Sequence, residues 1–132
     1  MEQTLPKLSR EDIRILHPKI ELARAKPGQV LVKELMNPIG IFILQKGSAL
    51  VKRKQGAHDI TVATLGPGDY FGETAFLDSI SASATVVAEH ETDLLILRKD
   101  RIIPLFESHP DLFGRFFQSI ALIMSRRLRA IT

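Results

Sequence analysis

The segment from Gly66 to Val86 contains the residues whose types and spacing could bind a ligand. Gly72 and Glu73 lie at the start of Thr74 to Asp78, which the sequence predicts as a single helical turn. The free N–H groups that begin such a turn, together with its dipole, favour an anion such as phosphate. The Glu73 carboxylate cannot bind an anion, but it can accept hydrogen bonds from sugar hydroxyls beside one. A phosphate on backbone amides with a carboxylate on a sugar hydroxyl is the pattern of a nucleotide site.

The charges of the chain are unevenly distributed, although 18 Lys and Arg against 15 Asp and Glu leave a net charge of only +3. Residues 1–60 hold 11 basic and 6 acidic side chains, residues 61–111 hold 3 and 9, and residues 112–132 hold 4 and none. No Lys or Arg occurs between Lys54 and Arg98. This distribution is weak support for a nucleic-acid-binding surface.

Short β-like runs separated by turn residues must position this segment. They read IELARA, VLVKEL, IGIFILQ, SALVKRK, DITVATL, ATVVAEH and DLLILRK. Runs of this length, rich in Val, Ile and Thr and spaced about ten residues apart, are typical of an antiparallel sandwich or roll. Because strands do not alternate with helices, the pattern argues against a Rossmann-type domain. We therefore predict an α+β fold, with an antiparallel β-roll (a double-stranded β-helix or jelly-roll) over residues 20–98.

Helices are predicted on both sides of the roll in the sequence. Ser9 and Asp12 are spaced as a capping box for a short helix over residues 9–17. Two helices are predicted over residues 99–131, the second opened by Pro110. An apolar stripe runs along that last helix: Phe113, Phe116, Phe117, Ile120, Met124, Leu128 and Ile131. We expect its first half to pack on the roll, and its second half to pair with the same helix of a second chain in a homodimer.

Composition bounds the remaining possibilities. With 132 residues, of which 45% are hydrophobic and 25% charged, the chain is expected to form one globular domain over residues 1–132. The absence of cysteine excludes disulfides and thiolate metal sites and fits a cytoplasmic protein, and the four histidines have no metal-ligand spacing. No apolar run is long enough to span a membrane, and the polar first residues do not resemble a signal peptide.

The stretch GPGDYFGETAFLDSISASATV resembles the phosphate-binding cassette of the cyclic nucleotide-binding domain family, which includes catabolite activator proteins and protein kinase A regulatory subunits. The family pattern is approximately G-D-x-F-G-E, a large apolar residue, Ala or Gly, Leu, a variable loop and R-[A/S]-A-T-V. The residues in register are Gly68, Asp69, Phe71, Gly72, Glu73, Ala75, Ser83, Ala84, Thr85 and Val86. The resemblance extends over essentially the whole chain and implies the same β-roll, with the cassette at residues 71–86.

The resemblance also implies a set of ligand-binding residues. These are Phe71, Gly72, Glu73, Thr74, Ala75, Ala82, Ser83 and Ala84. Glu73 is expected to contact the ribose 2′-hydroxyl, and Ser83 is expected to contact the phosphate. The arginine with which the family pairs the phosphate is replaced here by Ala82, and Thr74 replaces a usual leucine. A charge-assisted contact of that kind is worth on the order of 1.5–3 kcal/mol, so its loss is the serious departure from the family.

Two functions remain open at this point. The first is a regulatory module that senses cyclic AMP or cyclic GMP and signals through its C-terminal helix. The second is a degenerate family member that no longer binds cyclic nucleotide and serves as a dimerisation or protein-docking module. An enzyme is not expected, since no motif supplies a histidine base for the serines near Asp78. DNA contact by this chain is not expected either, because no helix-turn-helix follows the last helix.

Overall fold

A computed structural model describes residues 5–76 and 81–131. They form two compact units, one made of Ile20–Lys99 and the other of the segments before and after it in the sequence. The first unit holds eight antiparallel strands in two sheets, and the second holds a short N-terminal helix and two C-terminal helices. This architecture confirms the predicted α+β fold with a β-roll.

The strands form two sheets of four. Their bounds are β1 Glu21–Ala25, β2 Val30–Val32, β3 Gly40–Lys46, β4 Ala49–Gln55, β5 His58–Leu65, β6 Tyr70–Phe71, β7 Thr85–Ala88 and β8 Thr92–Arg98. The order is β1-β8-β3-β6 in one sheet and β2-β7-β4-β5 in the other. Strand β6 and strand β7, which bracket the predicted cassette, therefore lie in different sheets.

A hydrophobic cluster from both sheets fills the roll, and we call it the interior cluster. Its buried members are Ala25, Val32, Phe42, Leu44, Ala49, Phe71, Ala82, Val86, Ala88, Leu94 and Ile96. The members alternate along β3, β4, β7 and β8 because successive strand side chains point to opposite faces. Val51 packs against the cluster in the same alternation, two residues after Ala49. One face of each of these strands thus lines the inside of the roll.

The seven β-like runs in the sequence all contain strands, whereas β6 was not predicted. The predicted helical turn over Thr74 to Asp78 is placed differently by the structure, which has a 3-10 turn over Glu73–Phe76. The last residue of the predicted turn, Asp78, and the other residues from 77 to 80 lie outside the described residues. The shift has a local cause, because Gly72 already leaves the strand with a positive φ of 84° and its carbonyl accepts the first bond of the turn, from the Ala75 N–H at 3.0 Å.

Helix α1 (Arg10–Leu16) begins at the predicted capping box. The Ser9 hydroxyl accepts the Asp12 N–H at 3.1 Å, and the Asp12 carboxylate accepts the Ser9 N–H at 2.9 Å. The same carboxylate receives two hydrogen bonds from Arg115, from Nε at 2.6 Å and from Nη2 at 2.7 Å. These bonds hold the pKa of Asp12 at about 2, below its ordinary value of 3.8, although burial of the side chain acts in the opposite direction. The acid that caps α1 therefore also ties it to the last helix.

Helices α2 (Lys99–Ser108) and α3 (Pro110–Ile131) begin where the sequence predicts. The first half of α3 is buried at Leu112, Phe116 and Ile120, and its aromatic rings contact Phe106 of α2. Further along α3, Met124 is 41% exposed and Leu128 is 64% exposed. Across residues 5–76 and 81–131, the helices lack the combination of length and apolar character needed to cross a bilayer. In the predicted apolar stripe, Phe116 and Ile120 are thus buried, whereas Phe113, Met124 and Leu128 are exposed.

Candidate functional site

The first half of the predicted cassette is held by strand β3. Phe71 pairs with Phe42 in the ladder between β6 and β3, and their rings stack with centroids 4.9 Å apart. The turn before β6 is closed by Asp69, whose carboxylate accepts the Gly66 N–H at 2.8 Å. Asp69 therefore stabilises the turn, as its position in the sequence predicts. The ring stack and the turn together fix where the chain enters the segment that begins at Gly72.

Gly72 leaves β6 along a path that only glycine can take. Its φ of 84° lies in the left-handed region, and a Cβ at this position would overlap the carbonyl oxygen of Gly40 in β3. Gly40 is equally restricted, since a Cβ there would overlap the Leu97 carbonyl oxygen in β8. The backbones at Gly72, at Gly40 in β3 and at Leu97 in β8 thus pack directly against one another, with no side chain between them. This close packing fixes the path of the chain as it leaves β6 at Gly72.

The 3-10 turn that follows places the next predicted residues. Ala75 and Phe76 are buried, whereas Glu73 and Thr74 are half-buried. The first hydrogen bond of the turn is donated by the Ala75 N–H, so the N–H groups of Glu73 and Thr74 precede it. Within the described part of the chain, the Glu73 carboxylate has no hydrogen-bond or ion-pair partner. The turn therefore presents N–H donors and a carboxylate acceptor side by side.

The second half of the cassette starts inside the roll. Ala82 is only 7% exposed and belongs to the interior cluster together with Phe71 and Val86. Its N–H donates to the Met36 carbonyl and its carbonyl accepts the Leu35 N–H, both at 2.9 Å. Leu35 makes its bond from a left-handed conformation with φ 69°. Two backbone hydrogen bonds therefore hold Ala82, in addition to the packing of its side chain in the interior cluster.

Ser83 and Ala84 connect Ala82 to strand β7. Ser83 is exposed and Ala84 is half-buried. At the start of β7, the Thr85 hydroxyl accepts the Glu34 N–H at 2.9 Å. The structure thus brings Phe71 and Ala82 into one cluster, with Gly72 to Ala75 continuing from the first and Ser83 and Ala84 from the second.

The loop from Lys33 to Ile39 is the part of the site that the sequence did not reveal. It provides the partners of both Ala82 and Thr85, and it exposes two apolar side chains, Leu35 at 78% and Met36 at 59%. Only the Asn37-Pro38 pair in this loop is a local signal, and it marks a turn rather than a site. Contacts between residues about 50 positions apart leave no local pattern in a single sequence.

Comparison with known proteins identifies the family to which this chain belongs. The sequence profile of the cyclic nucleotide-binding domain matches residues 22–109. The chain is 32% identical over 90 residues to the cyclic AMP receptor protein of Thermus thermophilus, an alignment that covers 67% of this chain and 40% of that protein. It is 33% identical over 93 residues to a cAMP-dependent protein kinase regulatory subunit of Mycosarcoma maydis, covering 70% of this chain and 18% of that one.

A solved structure shares the fold over nearly the whole chain. It is a cyclic nucleotide-binding domain from Methylobacillus flagellatus, with a TM-score of 0.85 and 22% identity over 98% of this chain and 78% of that one. The curated relatives described above are much longer, since the chain spans 40% of one and 18% of the other. The match over residues 22–109 includes both strands that bracket the cassette and the loop that pairs with it. The chain therefore belongs to the cyclic nucleotide-binding domain family.

Proposed function

We propose that this chain is a regulatory module that binds a cyclic nucleotide at the turn that begins at Gly72 and transmits the bound state through helix α3. The observation that carries the proposal is that Phe71 and Ala82 share the interior cluster, so the two halves of the cassette converge. Two relatives are named for cyclic AMP, one a receptor protein and the other a kinase regulatory subunit. A regulatory role without catalysis is the role that this family membership supports.

Each predicted residue has a part in the proposed site. The phosphate lies at the start of the 3-10 turn, where the N–H groups of Glu73 and Thr74 donate hydrogen bonds to its oxygens. The Glu73 carboxylate accepts a hydrogen bond from the ribose 2′-hydroxyl, and the hydroxyl of the exposed Ser83 donates a hydrogen bond to a phosphate oxygen. Phe71, Ala75, Ala82 and Ala84 provide the apolar and backbone wall behind the ligand. These assignments follow the family motif, and the free acceptor at Glu73 and the N–H groups at the start of the turn support them.

The second candidate function is a domain that no longer binds nucleotide and acts by association. Ala82 favours it, because an apolar side chain that is 7% exposed replaces the cation that the family places against the phosphate. The exposed half of α3 favours it too, because Met124 and Leu128 offer apolar surface to a partner. A homodimer through α3 is compatible with both functions, so dimerisation alone does not distinguish them.

Titration calorimetry of the chain with cyclic AMP and with cyclic GMP distinguishes the two functions. We expect one of the nucleotides to bind with a Kd below ~10 μM, which corresponds to about 7 kcal/mol of binding free energy. The matched control is the corresponding 5′-monophosphate, which has the same base but a doubly charged, open phosphate. Absence of heat with both cyclic nucleotides at millimolar concentration would eliminate the sensing function and leave the docking function.

A further inference from the structure

The proposed ligand brings a negative charge to a segment that has no cation of its own. A cyclic nucleotide carries one negative charge on its phosphodiester, and residues 55–97 contain no Lys or Arg. The histidines within that range, His58 and His90, are exposed. Holding an anion in a half-buried site without an opposite charge is costly. A neutralising side-chain cation therefore has to come from outside residues 55–97.

Strand β4 brings such a cation next to the cassette. In the ladder between β4 and β7, Val51 pairs with Val86 and Lys52 pairs with Thr85. Continuing this register by one residue places Arg53 opposite Ala84. The neighbouring residues on that side are Ser83 and Ala82, which form the second half of the proposed site.

The alternation of β4 decides which of its basic residues faces the ligand. Ala49 belongs to the interior cluster and Val51 packs against it, so Arg53 falls on the same face of the strand. Lys52 and Lys54 fall on the opposite face. The irregularity in the ladder between β4 and β5 does not disturb this assignment, because the skipped residue, Val62, belongs to β5. Arg53 is thus the basic residue of β4 that shares a face with the interior of the roll.

The Arg53 side chain is free to turn toward a ligand. It is exposed, and among the described residues it has no hydrogen-bond or ion-pair partner. Arg24, by contrast, is engaged by Asp93 at 2.8 Å. Residues opposite or diagonal across a strand pair have Cβ atoms about 5–8 Å apart, a span that an extended arginine side chain covers. Arg53 can therefore reach the space beside Ser83.

One acid lies close to this position. The Glu34 carboxylate accepts the Lys54 N–H at 3.3 Å, so it lies beside the strand residue that follows Arg53. A carboxylate there attracts the guanidinium and repels a phosphate. Glu34 is consequently a competitor of the ligand for the same cation.

We propose that Arg53 supplies the positive charge that holds the phosphate of the cyclic nucleotide in this chain, taking the part that Ala82 cannot play. The inference rests on the proposed function, and it names the residue of the roll that makes that function electrostatically feasible. Arg53 acts in it as a binding residue, with Glu34 opposing it.

The test compares two charge deletions on the two faces of one strand. Calorimetric Kd values for cyclic AMP and cyclic GMP are measured for the parent chain, for Arg53→Ala and for the matched control Lys52→Ala. We expect Arg53→Ala to raise the Kd about tenfold or more, and Lys52→Ala to change it by about twofold or less. Arg53→Lys should recover part of the loss. Circular dichroism and thermal unfolding without nucleotide verify that each variant folds.

A second measurement isolates the phosphate from the base. Adenosine and guanosine have the same bases and ribose but no charge, so Arg53→Ala should leave their weaker binding unchanged. Glu34→Gln should strengthen cyclic nucleotide binding in the parent chain and have no effect in the Arg53→Ala background, because it acts through that guanidinium. Equal effects of Glu34→Gln in both backgrounds would contradict this coupling and with it the role of Arg53.

The two possible failures are distinguishable. If the parent chain binds a cyclic nucleotide and Arg53→Ala binds as tightly as Lys52→Ala, the role of Arg53 is overturned and the proposed function stands. If the parent chain binds neither nucleotide at millimolar concentration, the proposed function itself is overturned, and the assignment of Arg53 falls with it.

Discussion

The backbone of Gly72 passes the carbonyl oxygen of Gly40 so closely that no side chain fits between them. We predict that Gly72→Ala destabilises the chain by roughly 3 kcal/mol or more and abolishes nucleotide binding, because it adds a collision to the strain of a positive φ. Gly68→Ala is the matched control, since Gly68 has a φ of 89° but open space around its Cβ position. That variant should lose only about 1–2 kcal/mol in urea unfolding. Equal losses in the two variants would show that the contact with Gly40 is unimportant.

Glu73 is predicted to contribute to affinity without contributing to stability. Because its carboxylate has no partner in the described part of the chain, Glu73→Ala should leave the unfolding midpoint unchanged. The same variant should weaken cyclic nucleotide binding by about tenfold, since the ribose hydroxyl loses its acceptor. Glu107→Ala, which removes an exposed acid of α2, controls for the change in net charge. A comparable loss of affinity in both variants would mean that the effect is long-range electrostatics.

Ala82→Arg is predicted to strengthen cyclic nucleotide binding by about tenfold or more. Without ligand the same variant should unfold at a lower temperature, because a charge is placed in the interior cluster without a partner. Addition of cyclic nucleotide should restore the lost stability. Ala82→Met adds similar bulk without charge and should not gain affinity. If the folded Ala82→Arg chain binds no better than the parent, the register assigned to the cassette is wrong.

The pair of Asp12 and Arg115 is predicted to give the chain a specific sensitivity to acid. The pKa of Asp12 is lowered from 3.8 to about 2 in the folded state, so its contribution is complete above pH 3.8 and is lost as the pH falls through 2. That shift corresponds to roughly 2 kcal/mol. In urea unfolding, Arg115→Ala should be less stable than the parent at pH 7, and the difference should shrink between pH 4 and pH 2.

The exposed pair of Arg14 and Glu11 provides the comparison for that experiment. Their side chains are 77% and 59% exposed, and exposed ion pairs contribute little. Arg14→Ala should therefore follow the parent curve at every pH. A difference between the parent and Arg115→Ala that is constant from pH 7 to pH 2 would mean that Asp12 does not titrate with the pair.

Helix α3 is predicted to form a homodimer through its exposed second half. Each large apolar side chain in such an interface contributes roughly 1–3 kcal/mol, so Leu128→Asp should convert the dimer to a monomer without unfolding the roll. Gln118→Asp, an exposed position in the first half of the helix, should remain dimeric. Sedimentation velocity at ~100 μM measures both variants, a concentration at which even weak dimers are populated. A monomeric parent chain under these conditions would assign the exposed residues to another partner.

Local patterns in the sequence predicted the features whose contacts are local. Ser9 and Asp12 form the expected capping box because the two residues lie within one helical turn. The bond between the same Asp12 and Arg115 joins residues 103 positions apart, and no periodicity encodes it. The seven longer strands followed from short runs, most of them rich in apolar residues, that are separated by turn residues. Strand β6 has only two residues, too few for a pattern, and it exists because β3 offers it a partner.

The features of the candidate site likewise fall into those that depend on local sequence and those that depend on contacts between distant residues. The motif predicts Gly72, Glu73 and Ser83 as ligand residues, because a family motif records residue types along the chain. It could not indicate that Leu35 and Met36 would pair with Ala82, or that Lys52 would pair with Thr85 at the end of the cassette. These relations depend on the order of the strands in the second sheet, which brings together segments about 30 to 50 residues apart.

Ala82 is anchored by its two backbone hydrogen bonds, which any amino acid other than proline could form. The path of the chain can therefore persist when this side chain changes, but a larger or charged side chain has to be accommodated in the interior cluster and lowers folding stability. Ligand affinity and stability are thus linked at this position, since the substitution that would add a cation for the phosphate also destabilises the unliganded roll. In protein engineering, substitutions at position 82 would be the means to adjust the ligand affinity of a sensor built on this roll.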